Sequence, residues 1–411
     1  MKRSPLLPIF LIVVVDVLGL TIILPLLPFY AERLGATPTQ VGLLVSTYAA
    51  CQLFSGPLLG RISDRIGRKP LLLVSQVGTL VGFLILARAQ LLWVVFLSRV
   101  IDGITAGNLS LAQAYIADVT APKDRARAFG IIGIAFGFGF LVGPGISGLL
   151  APFGYAYPVL LAAGLSFASI LATACLLPSR PPHPEGPPEE GPALPAGRRL
   201  SLVDWSAYLV YFRRPKLGSL LWQFFSFTFA FALFTGGFAL FAERRFVFHG
   251  HPFGVKEVAY VFSYAGLLGI VLQGGFIGRL VKRFGEPALV MTGFAGGALG
   301  YAVLGLSSSI PTLLLATTIS SLSMGILRPT LTSLITQHVG RAEQGVVLGL
   351  TQSLVSVSGI AGPALAGALI DRRWLLAWAM VAAASSGIGL LIHRASRIKT
   401  AGASQKGFSS G

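Results

Sequence analysis

Charge is what this sequence has least of. Of its 411 residues, 32 are Lys or Arg and only 15 are Asp or Glu, 11% in all. A soluble domain carries about 25% charged residues. With 54% of the chain hydrophobic, this shortage excludes an ordinary soluble globule. Cysteine is nearly absent as well. Cys51 and Cys175 both fall within apolar stretches, so no disulfide framework is expected. Histidine is scarce: His183, His249, His251, His338 and His393 lie in loops or at the ends of apolar runs. With no intramembrane His, no metal-ligand cluster, no phosphate loop and no nucleophile constellation, neither a metal site nor an enzyme is expected.

Apolar runs are abundant. Twelve stand out, at 6–30, 40–59, 71–87, 91–117, 128–150, 158–177, 217–242, 257–277, 287–306, 312–336, 346–369 and 375–392. Runs of about 20 apolar residues cross a bilayer core as helices. The expected class is an all-α integral membrane protein. The first run follows Lys2 and Arg3 as a signal peptide would, but it is too long, and Tyr30-Ala31-Glu32 offers no small-residue cleavage site. It reads as a membrane helix.

The net charge of +17 would in a soluble protein suggest a nucleic-acid partner; its placement here argues otherwise. Counting tails and connections, 23 Lys and Arg fall on the side of the termini and seven on the other. Only Arg99 and Arg328 lie within runs. Positive residues resist translocation, so both termini are expected in the cytoplasm of a multi-pass cell-membrane protein. No nucleic-acid partner is expected.

The runs form two similar groups. "GRISDRIG" at 60–67 returns as "GRLVKRFG" at 278–285, and "GFLVGPGISG" at 139–148 returns as "GIAGPALAG" at 359–367, with Pro144 matching Pro363. The offsets are 218 and 219 residues, so the chain reads as a duplicated six-helix unit, 1–177 and 217–393, with a tail at 394–411. Duplicated bundles around a midplane cavity are a transporter architecture. Between them lies a cytoplasmic linker at 178–216, whose Pro-, Gly- and Glu-rich first part is expected to be flexible. From Leu202 to Phe212, the helical spacing of Trp205, Leu209 and Phe212 suits a short amphipathic helix on the inner membrane surface or a plain connector.

At these motifs the chain resembles a known family. "GRISDRIGRK" matches G-x-x-x-D-R-x-G-R-K, the signature of the major facilitator superfamily between its second and third helices. "RVIDGITAGN" at 99–108 resembles that family's fourth-helix motif. Gly130, Gly139, Gly143-Pro144 and Gly148 resemble the fifth-helix motif of its drug:proton antiporters. "DVLGLTIILPLLP" at 16–28 is similar to the first helix of bacterial tetracycline-type multidrug exporters. The resemblance implies two pseudo-symmetric six-helix bundles, with spans one, four, seven and ten lining a central cavity. It implies proton-coupled efflux of a small amphiphilic or hydrophobic compound by alternating access in the inner membrane. The expected partners are that substrate, protons and membrane lipids, with the proton gradient as energy source, no cofactor and a monomeric chain.

Ionisable groups within a bilayer are costly, so each is a functional candidate. Asp16, the only acid deep in span one, is the candidate proton carrier; the alternative is a helix cross-link. Arg99 and Asp102, three apart on one face, either share in proton coupling, as the resemblance implies for Arg99, or satisfy each other. Asp118, Glu243 and Glu257 sit at span ends and read as interfacial. Arg328, ahead of Pro329, suits an anionic group, a counter-charge to Asp16 or freed carbonyls. Asn108, Gln113, Trp222, Gln223, Gln273 and Gln352 offer further substrate contacts or interhelical hydrogen bonds. The aromatic run "WQFFSFTFAFALF" in span seven suits flat or apolar substrates if it faces the cavity.

In the repeated loop, Gly60 and Gly67 are expected to allow a tight turn. Asp64, Arg65 and Arg68 would form a conformational latch. Gly139, Gly143, Pro144 and Gly148 in span five, with Gly362 and Pro363 in span eleven, read as a hinge or seal between the halves, or as tight packing. Two departures limit the resemblance. Where tetracycline exporters carry acids in helices three and nine and a histidine in helix eight, this chain has Gly82, Gly297 and Gly269. The second loop copy has Lys282 in place of the acid. Both weigh against tetracycline itself, and leave open a carrier of an anionic metabolite or lipid-like compound.

Overall fold

The computed structural model describes residues 6–120, 125–178, 205–340 and 343–408. Twelve stretches of helix are long and apolar enough to cross a membrane. In chain order the helices are α1 (Leu6–Arg33), α2 (Pro38–Ile66), α3 (Arg68–Ala87), α4 (Leu92–Ile104), α5 (Asn108–Val119), α6 (Arg125–Leu150) and α7 (Ala156–Leu176). After the connection come α8 (Trp205–Arg213), α9 (Pro215–Arg245), α10 (Val255–Val271), α11 (Ile277–Phe284), α12 (Glu286–Leu306), α13 (Ile310–Gln337), α14 (Gln344–Asp371) and α15 (Leu375–Phe408). A two-residue hairpin, β1 (Val247–Phe248) and β2 (His251–Pro252), joins α9 to α10. Most of the expected linker, 179–204, and His183 with it, lie outside the described residues.

Three spans differ from simple rods. Span four is two helices, α4 and α5, separated at 105–107. Span eight is interrupted by a π-helical turn, Leu272–Phe276, at its "QGG". The last helix continues past the apolar run that defined it, and this carries His393 inside α15. Local chemistry marks several starts. Thr37 caps α2 through the Gln40 amide while the Gln40 side chain accepts from the Thr37 amide, and Pro38 follows at the first helical position. Ser309 and Thr312 do the same for α13. Such boxes satisfy amides a helix start leaves bare.

Packing divides the chain into two compact units. One is Met1–Glu189 with Thr235–Ile270 and Pro363–Arg372; the other is Glu190–Phe234, Val271–Gly362 and Arg373–Gly411. The first unit therefore holds the first six spans together with the ends of spans seven, eight and eleven remote from the termini. Within it α1 packs on α6 and α7, α2 on α4, and α3 on α4 and α7. Buried polar groups are paired across these seams. Thr21 Oγ1 donates to Gly139 O (2.8 Å), Tyr30 Oη to Ala89 O (2.6 Å), and Gln76 Nε2 to Ser169 Oγ (2.8 Å).

Backbone contact joins the later helices to this unit. A Cβ at Gly42 would lie 2.2 Å from Pro363 O, and one at Gly367 would lie 2.3 Å from Pro38 O. Polar links lie near the same ends. Arg244 pairs with Glu32 (2.5 Å) and Glu243 (2.8 Å), and Thr39 Oγ1 donates to Asp371 Oδ2 (2.5 Å).

In the second unit α12 packs on α13 and α15. Trp378 Nε1 donates to Leu233 O (3.0 Å), and Thr228 meets Ser358 hydroxyl to hydroxyl (2.9 Å). Arg214 grips Glu343 in a bidentate pair (2.9 and 2.7 Å). Those hydrogen bonds hold the Glu343 carboxyl below the usual carboxylate range.

Candidate functional site

The first unit gathers the buried charges. Asp16, half-buried, is the eleventh of the 28 residues of α1, and Asn108, the first residue of α5, donates from Nδ2 to its Oδ1 at 2.5 Å. On α4, Arg99 and Asp102 are 5% and 6% exposed and pair at 3.2 Å. Their i, i+3 spacing on one helix makes the pair local. The Arg99 Nη2 atom and the Asn108 Oδ1 atom are buried without a hydrogen-bond partner among the described residues. Tyr48 of α2 lies within electrostatic reach of Asp16, Arg99 and Asp102. It receives a hydrogen bond on its hydroxyl from Gln52 Nε2 (3.3 Å). Sequence reasoning missed Tyr48, because a tyrosine in an apolar run carries no sign of which face it presents.

Gly82 explains why this cluster has no third-helix acid. A Cβ there would lie 3.1 Å from Asp102 Cβ and 3.2 Å from Ser98 O. A side chain at 82 would therefore require the facing part of α4 to give by a few tenths of an ångström.

The repeated loop is shorter than its motif suggests. α2 runs through Gly60, Asp64 and Arg65 to Ile66, so the expected turn at Gly60 is a helix. Gly67 alone makes the turn, at φ 105° and ψ 154°. Its repeat partner Gly285 adopts φ 77° and ψ 155°, a region that L side chains rarely enter. Arg68 is the hub. It pairs with Asp64 (2.5 Å) and with Asp118 at the end of α5 (2.9 Å), and donates to Ser63 Oγ (2.6 Å). Asp118 is therefore more than interfacial: it ties the loop to span four. The Asp64 side chain is 60% exposed, and exposed pairs contribute only about 0–1 kcal/mol. Arg68→Gln is thus expected to lower turnover and detergent-melting temperature more than Asp64→Asn. Paired turnover and melting measurements would show the larger loss in Asp64→Asn if the hub were Asp64 instead.

The small-residue stripe of span five has two partners. Gly139 and Gly143 lie against Val17 and Thr21 of α1, whereas Gly148 lies against Lys256 and Ala259 of α10. In span eleven Gly362 abuts Ala232 and Leu233, and Pro363 abuts Gly42 and Gly236. Pro144 and Pro363 both sit inside unbroken helices.

The second unit holds the remaining candidates. Arg328 lies within α13 and is exposed. Gln352 is exposed on α14, and Gln113, in the first unit, is half-buried on α5. Trp222 is 51% exposed, its ring edge-on to Phe212 and Phe225. Its neighbour Gln223 is 1% exposed and donates from Nε2 to Ser219 Oγ (3.1 Å), while Oε1 meets His393 Nδ1 (3.1 Å). His393 is 4% exposed. It stands at the end of the last span, where α15 continues beyond its most apolar stretch. The described residues hold no group of His, Cys, Asp and Glu able to hold a metal.

A family model described as the Major Facilitator Superfamily matches residues 9–363, and again 274–405. The chain belongs to that superfamily. It is 30% identical over 364 residues to the class C tetracycline resistance protein of Escherichia coli, covering 87% of each chain. It is 27% identical to multidrug resistance protein 2 of Bacillus subtilis (strain 168), covering 86% of each. Among solved structures, a mutant of the nucleoside transporter NupG aligns with a TM-score of 0.75 at 15% identity, over 96% of this chain and 99% of that one. The human organic anion transporter MFSD10 (TETRAN) aligns with a TM-score of 0.68 at 23% identity, over 95% and 99%. These two support the major facilitator fold, and the twelve spans accord with it.

Proposed function

We propose that the protein is a proton-coupled antiporter that exports a small amphiphilic or hydrophobic compound by alternating access. One observation carries this reading: Asp16 lies deep in span one, held by a neutral amide, and forms no ion pair among the described residues. A carboxyl not tied to a cation can take up and release a proton as its surroundings change. The names of the relatives, tetracycline and multidrug resistance proteins, support efflux as the direction. The Arg99–Asp102 pair supplies a second, internally neutralised charge site beside it. The Lys and Arg asymmetry supports cytoplasmic termini, and no cofactor or second chain is called for in this scheme. The test is transport by the reconstituted protein with and without a pH gradient. Substrate accumulation confined to the gradient condition supports antiport; equal flux in both conditions refutes it.

A second reading, a carrier for an anionic metabolite or lipid-like compound, is favoured by Arg328. Its guanidinium is charged at every accessible pH and lies exposed within α13. On that reading Arg328→Ala weakens binding of an anionic compound at least tenfold and leaves a matched neutral compound within about twofold. Equal losses for the pair, measured by equilibrium binding, identify Arg328 as structural.

A further inference from the structure

The interruption of span four is an unusual element to place inside a membrane. At "TAG", 105–107, the backbone leaves the helix, and peptide groups freed in a low-dielectric setting are costly unless something pairs them. Part of the pairing is local. Ala106 N donates to Gly103 O (3.2 Å), and Thr105 Oγ1 donates back to Ile101 O (2.8 Å). The Gly107 amide also donates to Thr105 O across the break (2.7 Å), and a further link comes from another helix. Ser75 of α3, fully buried, donates its hydroxyl to Thr105 O and accepts from Gly107 N (3.0 Å). One hydroxyl thus spans the break, with its single proton and a lone pair both in use.

The approach depends on the residue three further along the same face of α3. A Cβ at Gly78 would lie 2.1 Å from Thr105 Oγ1, so α3 reaches the break only because position 78 has no side chain. Directly after the break stands Asn108, whose amide meets Asp16. Where Ser75 holds Thr105 and Gly107 therefore decides where the Asn108 donor points.

We infer that Ser75 is a positioning residue for the Asp16 proton site: it fixes the span-four interruption so that Asn108 donates to the carboxylate. This rests on the reading of Asp16 as the proton carrier. The sign follows from the donor. An N–H group bonded to a carboxylate stabilises its ionised form over the neutral acid. Loss of Ser75 slackens that bond, and Asp16 then keeps its proton to higher pH.

The test is an infrared titration of the carboxyl C=O stretch of full-length protein in liposomes, with Asp16→Asn subtracted to isolate the Asp16 band. In Asn108→Ala the midpoint is expected to rise by about one pH unit, the scale of one charge-assisted hydrogen bond. In Ser75→Ala it rises in the same direction by a smaller amount. Ser75→Cys, nearly isosteric with a weak donor, falls between Ser75→Ala and the unmodified protein. It also serves if the alanine variant does not fold. Combined with Asn108→Ala, Ser75→Ala is expected to add nothing, because both act through one bond. An unmoved midpoint in Ser75→Ala alongside a shifted one in Asn108→Ala overturns the inference, as does full additivity. A titration with no Asp16-dependent band sinks the proton-carrier reading itself, and this inference with it.

Discussion

Replacing Asp16 with asparagine is expected to abolish substrate accumulation driven by a pH gradient, while exchange of substrate down its own gradient continues. The substitution conserves shape, and the new side chain still offers an oxygen to the Asn108 amide that now meets Asp16 at 2.5 Å. The seam between α1 and α5 is therefore retained, and folding should be close to that of the unmodified protein. What disappears is the one acid deep in span one, the proposed proton carrier. A coupled exchanger deprived of its proton carrier loses the uphill step and keeps the downhill one. Arg99 and Asp102 are not expected to substitute, because they already neutralise each other at 3.2 Å. Flux into liposomes at matched protein density checks this, with and without the gradient. Undiminished gradient-driven accumulation would remove Asp16 from the coupling scheme.

A side chain at position 42 should be nearly as damaging, for a purely steric reason. Gly42 on α2 faces Pro363 of α14, and a Cβ there would lie 2.2 Å from the proline carbonyl oxygen. Both partners are backbone, so neither can swing aside. Overfilling a packed contact costs about 1–3 kcal/mol, which shifts a two-state equilibrium roughly 5–150-fold. Gly42→Leu is therefore expected to disfavour the conformation described here and to cut turnover by about an order of magnitude or more. Gly56, on the same helix, has nothing within 4 Å of a Cβ, so Gly56→Leu is the matched control. Spin labels at Phe153 and Val247, both exposed in the first unit, with Cys51 and Cys175 changed to serine, report separation at these ends. The Gly42 variant should add a longer distance that the Gly56 variant lacks. Matching distance distributions and turnover in the two variants would defeat the steric account.

Solvent, span count and internal duplication were legible because they rest on quantities that sum along the chain. Twenty apolar residues cross a bilayer wherever they occur, and a repeat offset of about 218 residues needs no coordinates to be seen. The repeat even anticipated geometry: Gly67 and Gly285 take nearly the same ψ at the two loops. The other glycine of that motif, Gly60, misled, since a glycine is equally consistent with a turn and with a helix flanked by open space. The buried charges were legible as candidates, because an ionisable residue in an apolar run stands out whatever it touches.

What they touch was decided only by the tertiary structure. Asp16 and Asn108 are 92 residues apart, and Arg68 and Asp118 are 50 apart; hydropathy carries no information about such pairings. The break in span four lies in a sequence whose hydropathy reads as one continuous run, since a helix interruption costs little in apolarity when a hydroxyl from α3 takes up the freed peptide groups. His393, just past the last apolar run, is buried within α15 because the helix continues where apolarity fades. From the sequence alone came the membrane, the twelve crossings, the duplicated halves and the few ionisable residues within them. Only packing determined which of those residues meet, because close contact depends on small residues such as Gly78, Gly82 and Gly42 lying opposite particular partners, and that is a property of three-dimensional register, not of local sequence.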